Sequence, residues 1–137
     1  MEKVFEIYIK ATPERIWEAL TDGDLRGQYS FSVDASAETV EAEAPRRLVQ
    51  TMVAEWSDEV RREGPSRITY EIEPRGDMSR LTVTHDQLRE GANDQLYGGW
   101  PMILSGLKTL LESGEMLTTP GSLRWLEGNK QHLPEVH

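Results

Sequence analysis

The stretch LYGGWPMILSGLKTLL, residues 96–111, repeats apolar side chains at three- and four-residue steps: Leu96, Trp100, Ile103, Leu104, Leu107, Leu110 and Leu111. That spacing places them on one side of a helix as a broad apolar stripe. Gly98, Gly99 and Pro101 interrupt its start, which predicts a kink or a short first helix, with the main helix beginning near Pro101. Gly114 is a natural stop. A stripe this wide needs a cover, and the residues upstream provide one.

From Phe31 to Gln87 the apolar pattern has period two. Ala37–Ala44 reads as an acidic strand ended by Pro45. In Leu48–Trp56, Leu48, Met52, Ala54 and Trp56 share a face on which Gln50 is the polar exception. Arg67–Glu73 turns Ile68, Tyr70 and Ile72 inward, Gly76-Asp77 marks a turn, and Leu81, Val83 and His85 share the next inward face. SDEVRREGP, residues 57–65, reads as a charged, solvated connection. At the amino terminus KVFEIYIK, residues 3–10, alternates strictly as a half-buried strand. Thr12 then caps a helix with Pro13 at its first position, and Asp22–Tyr29 continues as a short second helix or turn. Strands joined by short turns make an antiparallel meander, and the long helix buries its stripe against it. The class is α+β in two layers, a curved sheet wrapped on a long C-terminal helix, and such a pairing leaves room for a cavity.

The chain has 137 residues, enough for one domain, here residues 1–114 with a tail over 115–137. Around the knot Leu123, Trp125 and Leu126 the expectation for the tail is a short helix or partial disorder. A formal charge of −9 argues against nucleic acid or an anionic membrane as partner. No apolar stretch approaches the roughly 20 residues of a membrane helix, and MEKVFEIYIK lacks a signal peptide's apolar region. Zero cysteines exclude disulfides, thiolate metal sites and thiol nucleophiles. A cytoplasmic location is the expectation.

Four blocks carry a resemblance: ATPERIWEALTD (11–22), APRRLV (44–49), ITYEIEPRGDMSRLTVTHDQL (68–88) and GGWPMILSGLKTLLESGE (98–115). In this order they resemble the START-like and birch-pollen-allergen-like superfamily, SRPBCC. Within it they are similar to bacterial proteins related to the C-terminal domain of the heat-shock-protein-90 ATPase activator. The resemblance implies a helix-grip fold and much less about activity. Two departures stand out. Such proteins carry a longer, Gly-rich hairpin before APRRLV, whereas SFSVDASAETVEAE (30–43) is about one hairpin short. Five or six strands are therefore expected, with the exposed sheet edge covered by the tail or by a second copy in a homodimer. The second departure is Met52, where relatives commonly have a large aromatic.

The aromatics make the strongest functional argument. Trp56, Tyr70 and Trp100, with Tyr97 nearby, come from elements whose inward faces converge, and rings with polar tips suit a mostly apolar pocket. Met52, Leu104 and Leu107 complete the wall, and His85 is the expected polar orienter. The leading expectation is a module binding a small, largely apolar ligand, with no cofactor and no metal. His132 and His137 have nothing at ligand spacing around them. A cyclase- or hydratase-like enzyme would need His85 as general base beside an inward acid, and none is readable in the strands. A co-chaperone-like interaction domain is the remaining class. Glu38, Glu41 and Glu43 read as charges guarding an edge strand. No serine or glycine motif has the context of a hydrolase elbow or phosphate loop.

Overall fold

The computed structural model describes residues 1–29 and 35–117. Its elements run β1 (Lys3–Ile9), α1 (Pro13–Thr21), α2 (Gly23–Tyr29), β2 (Ala35–Glu43), β3 (Arg47–Ala54), α3 (Asp58–Arg61), β4 (Ser66–Arg75), β5 (Met78–Asp86) and α4 (Trp100–Ser113). The strands form one antiparallel sheet in the order β1-β5-β4-β3-β2, so the described residues hold five strands, the lower of the two expected numbers. The described part of the stretch before APRRLV, residues 35–43, forms one strand, and β2 has no neighbour beyond β3 among the described residues. The expected tail helix, its Leu123–Leu126 knot and both tail histidines lie outside the described residues. No helix of the described residues is long and apolar enough to cross a membrane.

Local chemistry sets the element ends. Thr12 Oγ1 accepts the Arg15 N–H at 3.2 Å, with Pro13 in the first turn of α1. Asp22 Oδ1 accepts the N–H groups of Asp24 and Leu25 at 2.9 and 3.1 Å, which opens α2 as a separate helix. Gly76 takes φ +66° in the two-residue turn between Arg75 and Met78, a conformation that excludes most side chains. A 3-10 turn at Asp94–Leu96 precedes α4, and an added Cβ on Gly98 would stand 2.9 Å from the Asp94 carbonyl oxygen. The interruption read from the glycines is thus a tight turn that admits no larger residue, and the main helix begins at Trp100.

Helix α4 lies on the inner face of the sheet, where Ile9, Leu48, Ile68, Leu81, Val83, Leu107 and Leu110 are buried in one core with α1. Lys108 Nζ donates to the Tyr8 carbonyl at 2.7 Å and to Glu112 at 2.6 Å, and Glu112 accepts the Lys10 N–H at 2.8 Å. These bonds pin the helix's far end to the end of β1, while its start leans over β4 and β5.

The charged tract 57–65 departs from the solvated connection expected. It contains α3, because Val60 is fully buried and Ser57 Oγ accepts its N–H at 3.3 Å. Glu63 is drawn in as well, its side chain 9% exposed and paired with Arg89 at 2.7 Å. One apolar residue in a charged run was enough to anchor it.

Candidate functional site

Strands β3 and β4, helix α2 and helix α4 border a partly open cavity of about 460 Å³. That volume falls in the range of small-molecule sites. Of the residues expected to wall a pocket, Met52, Trp56, Tyr70, Trp100, Leu104 and Leu107 line it. His85 and Tyr97 are not in the lining. Tyr97 is half-buried, its ring 4.9 Å from Lys3 Nζ.

His85 is fully buried behind Trp100. The indole Nε1–H, which can only donate, bonds to His85 Nδ1 at 3.1 Å. Nδ1 is therefore unprotonated, and the proton of the neutral ring sits on Nε2, 2.8 Å from Ser66 Oγ. Burial pulls the imidazole pKa down to about 4, with the Asp86 charge opposing the shift. The ring is neutral at pH 7 with both nitrogens engaged. It holds Trp100 in place, and Trp100 presents its own ring to the cavity. Tyr70 meets that indole edge-on, with centroids 6.1 Å apart and planes at 74°. In place of His85, the polar side chains at the cavity are those of Gln50, Gln95, Arg26, Tyr29 and Tyr70.

Gln50 is the polar exception on the inner face of β3. Its Nε2 donates to Thr39 Oγ1 at 3.4 Å, while its buried Oε1 has no hydrogen-bond partner among the described residues. The Tyr29 hydroxyl donates to the Ala19 carbonyl at 2.9 Å. The Tyr70 hydroxyl has no such partner among the described residues. Burial raises the pKa of both phenols, and the nearby Arg26 charge opposes the rise in each, so both stay protonated donors. Arg26 comes from α2, where Gly23 and Gly27 also face the cavity with open space beside them. The pattern of β3 marks Gln50 as unusual in the sequence. Arg26 and Tyr29 carry no such mark, because a seven-residue helix with two glycines shows no readable stripe.

Other charged groups are spent elsewhere. Glu41 pairs with Arg47 at 3.1 Å and Glu43 with Arg46 at 2.6 Å, both on the surface. A second depression, bordered by Glu14, Arg47, Glu71, Glu73 and Arg80, mixes both signs, and Arg47–Glu71 and Arg80–Glu73 are paired within it. Among the described residues no three His, Asp or Glu side chains gather where a metal could bind.

Residues 27–112 match the family model described as "Activator of Hsp90 ATPase homolog 1-like protein". No curated protein matches the chain. Among solved structures, CalU16 from Micromonospora echinospora is similar with a TM-score of 0.70 at 18% identity, over 95% of this chain and 84% of that one. The Aha1 dimer from Colwellia psychrerythraea gives 0.68 at 18% identity, over 83% and 98%. An HSP90 activator from Plasmodium falciparum gives 0.66 at 18% identity, over 81% and 96%. At these identities the likeness is one of fold, and the shared fold is a sheet gripping a C-terminal helix.

Proposed function

The chain belongs to the Activator of Hsp90 ATPase homolog 1-like family, and from that premise we propose that it is a binding module for a small, largely apolar molecule held between sheet and helix. The observation that carries this reading is the cavity itself. It has about 460 Å³ of space walled by Trp56, Tyr70, Trp100, Met52, Leu104 and Leu107. A core that needed only to be stable would close such a space, because unfilled volume costs free energy. His85 supports binding over acid–base catalysis, since both its nitrogens are engaged and it does not reach the lining.

The test is thermal unfolding against a panel of lipids, flavonoids, polyketides and organic cofactors. A ligand at 100 times its Kd adds about 2.7 kcal/mol, a shift of several degrees for a domain of this size. A selective shift that disappears in Tyr70→Ala supports the reading. A panel without any shift overturns it. The family and the HSP90 activator from Plasmodium falciparum suggest a chaperone-facing surface as a second reading. The dimer from Colwellia psychrerythraea makes a second copy a candidate occupant of the β2 edge, which has no partner strand beyond β3 among the described residues.

A further inference from the structure

One end of the cavity is polar, and its groups are unequal in what they lack. Arg26 is half-buried and lines the cavity, yet no carboxylate lies within 4.0 Å of its guanidinium among the described residues. Most other arginines of the described chain are in ion pairs, as Arg47, Arg67, Arg80 and Arg89 are. A cation without a counter-charge at the wall of an apolar space, in a chain of formal charge −9, is a site for an anion. The Tyr70 hydroxyl stands near Arg26 as a donor with no protein acceptor among the described residues. Gln50 lacks the opposite partner: its Oε1 is buried, on a residue 6% exposed, and needs a donor. The register pairs Gln50 with Ile68 and Leu48 with Tyr70. Gln50 and Tyr70 are therefore diagonal neighbours on the inner face, within reach of one ligand.

We propose that the cavity takes a hydroxylated amphipathic acid. Its carboxylate meets Arg26 and the Tyr70 hydroxyl, a hydroxyl on its body donates to Gln50 Oε1, and its apolar remainder lies against Trp56 and Trp100. This inference rests on the cavity-binding reading and names the ligand class for it. An anion alone would leave Gln50 unsatisfied, and an alcohol alone would leave Arg26 unpaired. A molecule carrying both groups completes the site.

The experiment is calorimetric titration of the full chain with decanoate, 3-hydroxydecanoate and the methyl ester of each. A charge-assisted hydrogen bond is worth about tenfold in affinity or more. Each acid is expected to bind at least about tenfold tighter than its ester, and the preference should weaken with salt. In Arg26→Gln the acid-to-ester ratio should fall to about one. The hydroxyl should add a further several-fold, lost in Gln50→Leu. Equal binding of acid and ester by the unaltered chain overturns the anionic end and leaves the apolar cavity standing. Acid preference without a gain from the hydroxyl overturns the role given to Gln50. Binding of none of the four overturns this inference, while the cavity reading is overturned only if the thermal-unfolding panel also shows no shift.

Discussion

His85 shows how a residue can face the right way and still miss the site. Alternation along β5 turns it inward with Leu81 and Val83, and all three are buried. What alternation cannot convey is which α4 residue lies over it. Trp100 does, and its indole comes between the imidazole and the cavity. The neighbouring Asp86, on the opposite face, accepts two bonds from Arg67 at 2.9 and 2.6 Å. This arrangement has a consequence in pH. In the folded chain the imidazole pKa is about 4, against an ordinary value of 6.5. Between those values the unfolded chain binds a proton that the folded chain does not, so stability falls as pH drops from about 6.5 towards 4. At 1.36 kcal/mol per unit the loss reaches at most about 3 kcal/mol. Glu112, Glu43 and Asp86 have lowered pKa values, held down chiefly by hydrogen bonds from Lys10, Arg46 and Arg67 respectively. Their stabilisation is lost only as pH falls below the ordinary carboxylate values, so the upper window belongs to His85. Urea unfolding at pH 7, 6 and 5 should show the decline, and His85→Gln should flatten it. A flat profile in the unaltered chain would mean that the folded chain protonates His85 as readily as the unfolded one.

At the scale of elements, the long stripe and the strand alternation placed α4, β3 and β4 within a residue or two of their observed ends, and β5 by its inward residues Leu81, Val83 and His85. Those features depend on period, and period survives in sequence whatever packs against it. The elements that were hard to read are short and anchored by single contacts: α3 by Val60, and α2 by its Asp22 cap and the buried Tyr29. The shortened stretch before β3 is a different case, since length alone limits how many strands fit. The result is β2 at the edge, with Glu38, Glu41 and Glu43 exposed and a register shift at Val40, which is 63% exposed. An unpaired edge offers free N–H and C=O groups to a second copy, while like charges and a bulge oppose that pairing. If copies meet here, association must strengthen as salt screens the glutamates. Sedimentation velocity at 50 and 500 mM NaCl should therefore show a dimer fraction that grows with salt. Glu38→Lys should raise it at the lower salt, where the repulsion is removed directly. A monomer under every condition would leave the β2 edge without a second copy.

For the whole molecule the question is whether the space under α4 exists for a ligand or as imperfect packing, and stability separates the two. The sequence shows convergent aromatics, but whether they meet ring to ring or stand apart depends on how far the helix stands from the sheet. Local pattern does not record that distance. Six of the eight residues expected at the site do line the cavity, because inward direction was enough to place them. Gln50 was legible as the polar exception on the inward face of β3, whereas Arg26 comes from α2, where direction alone said little. An open cavity of about 460 Å³ means the apo chain forgoes contacts that a larger side chain could make. Leu104, 5% exposed and in the lining, is the place to add one. Leu104→Phe should extend into free space and raise unfolding stability by about 0.5–2 kcal/mol, as cavity-filling changes do. The same variant should lose the shift given by whichever ligand stabilises the unaltered chain, since ring and ligand compete for one volume. Were the region already packed, the larger ring would instead cost about 1–3 kcal/mol. One pair of melting curves with and without ligand reads both effects. Higher stability with a lost ligand shift is the signature of a site whose emptiness is maintained for binding.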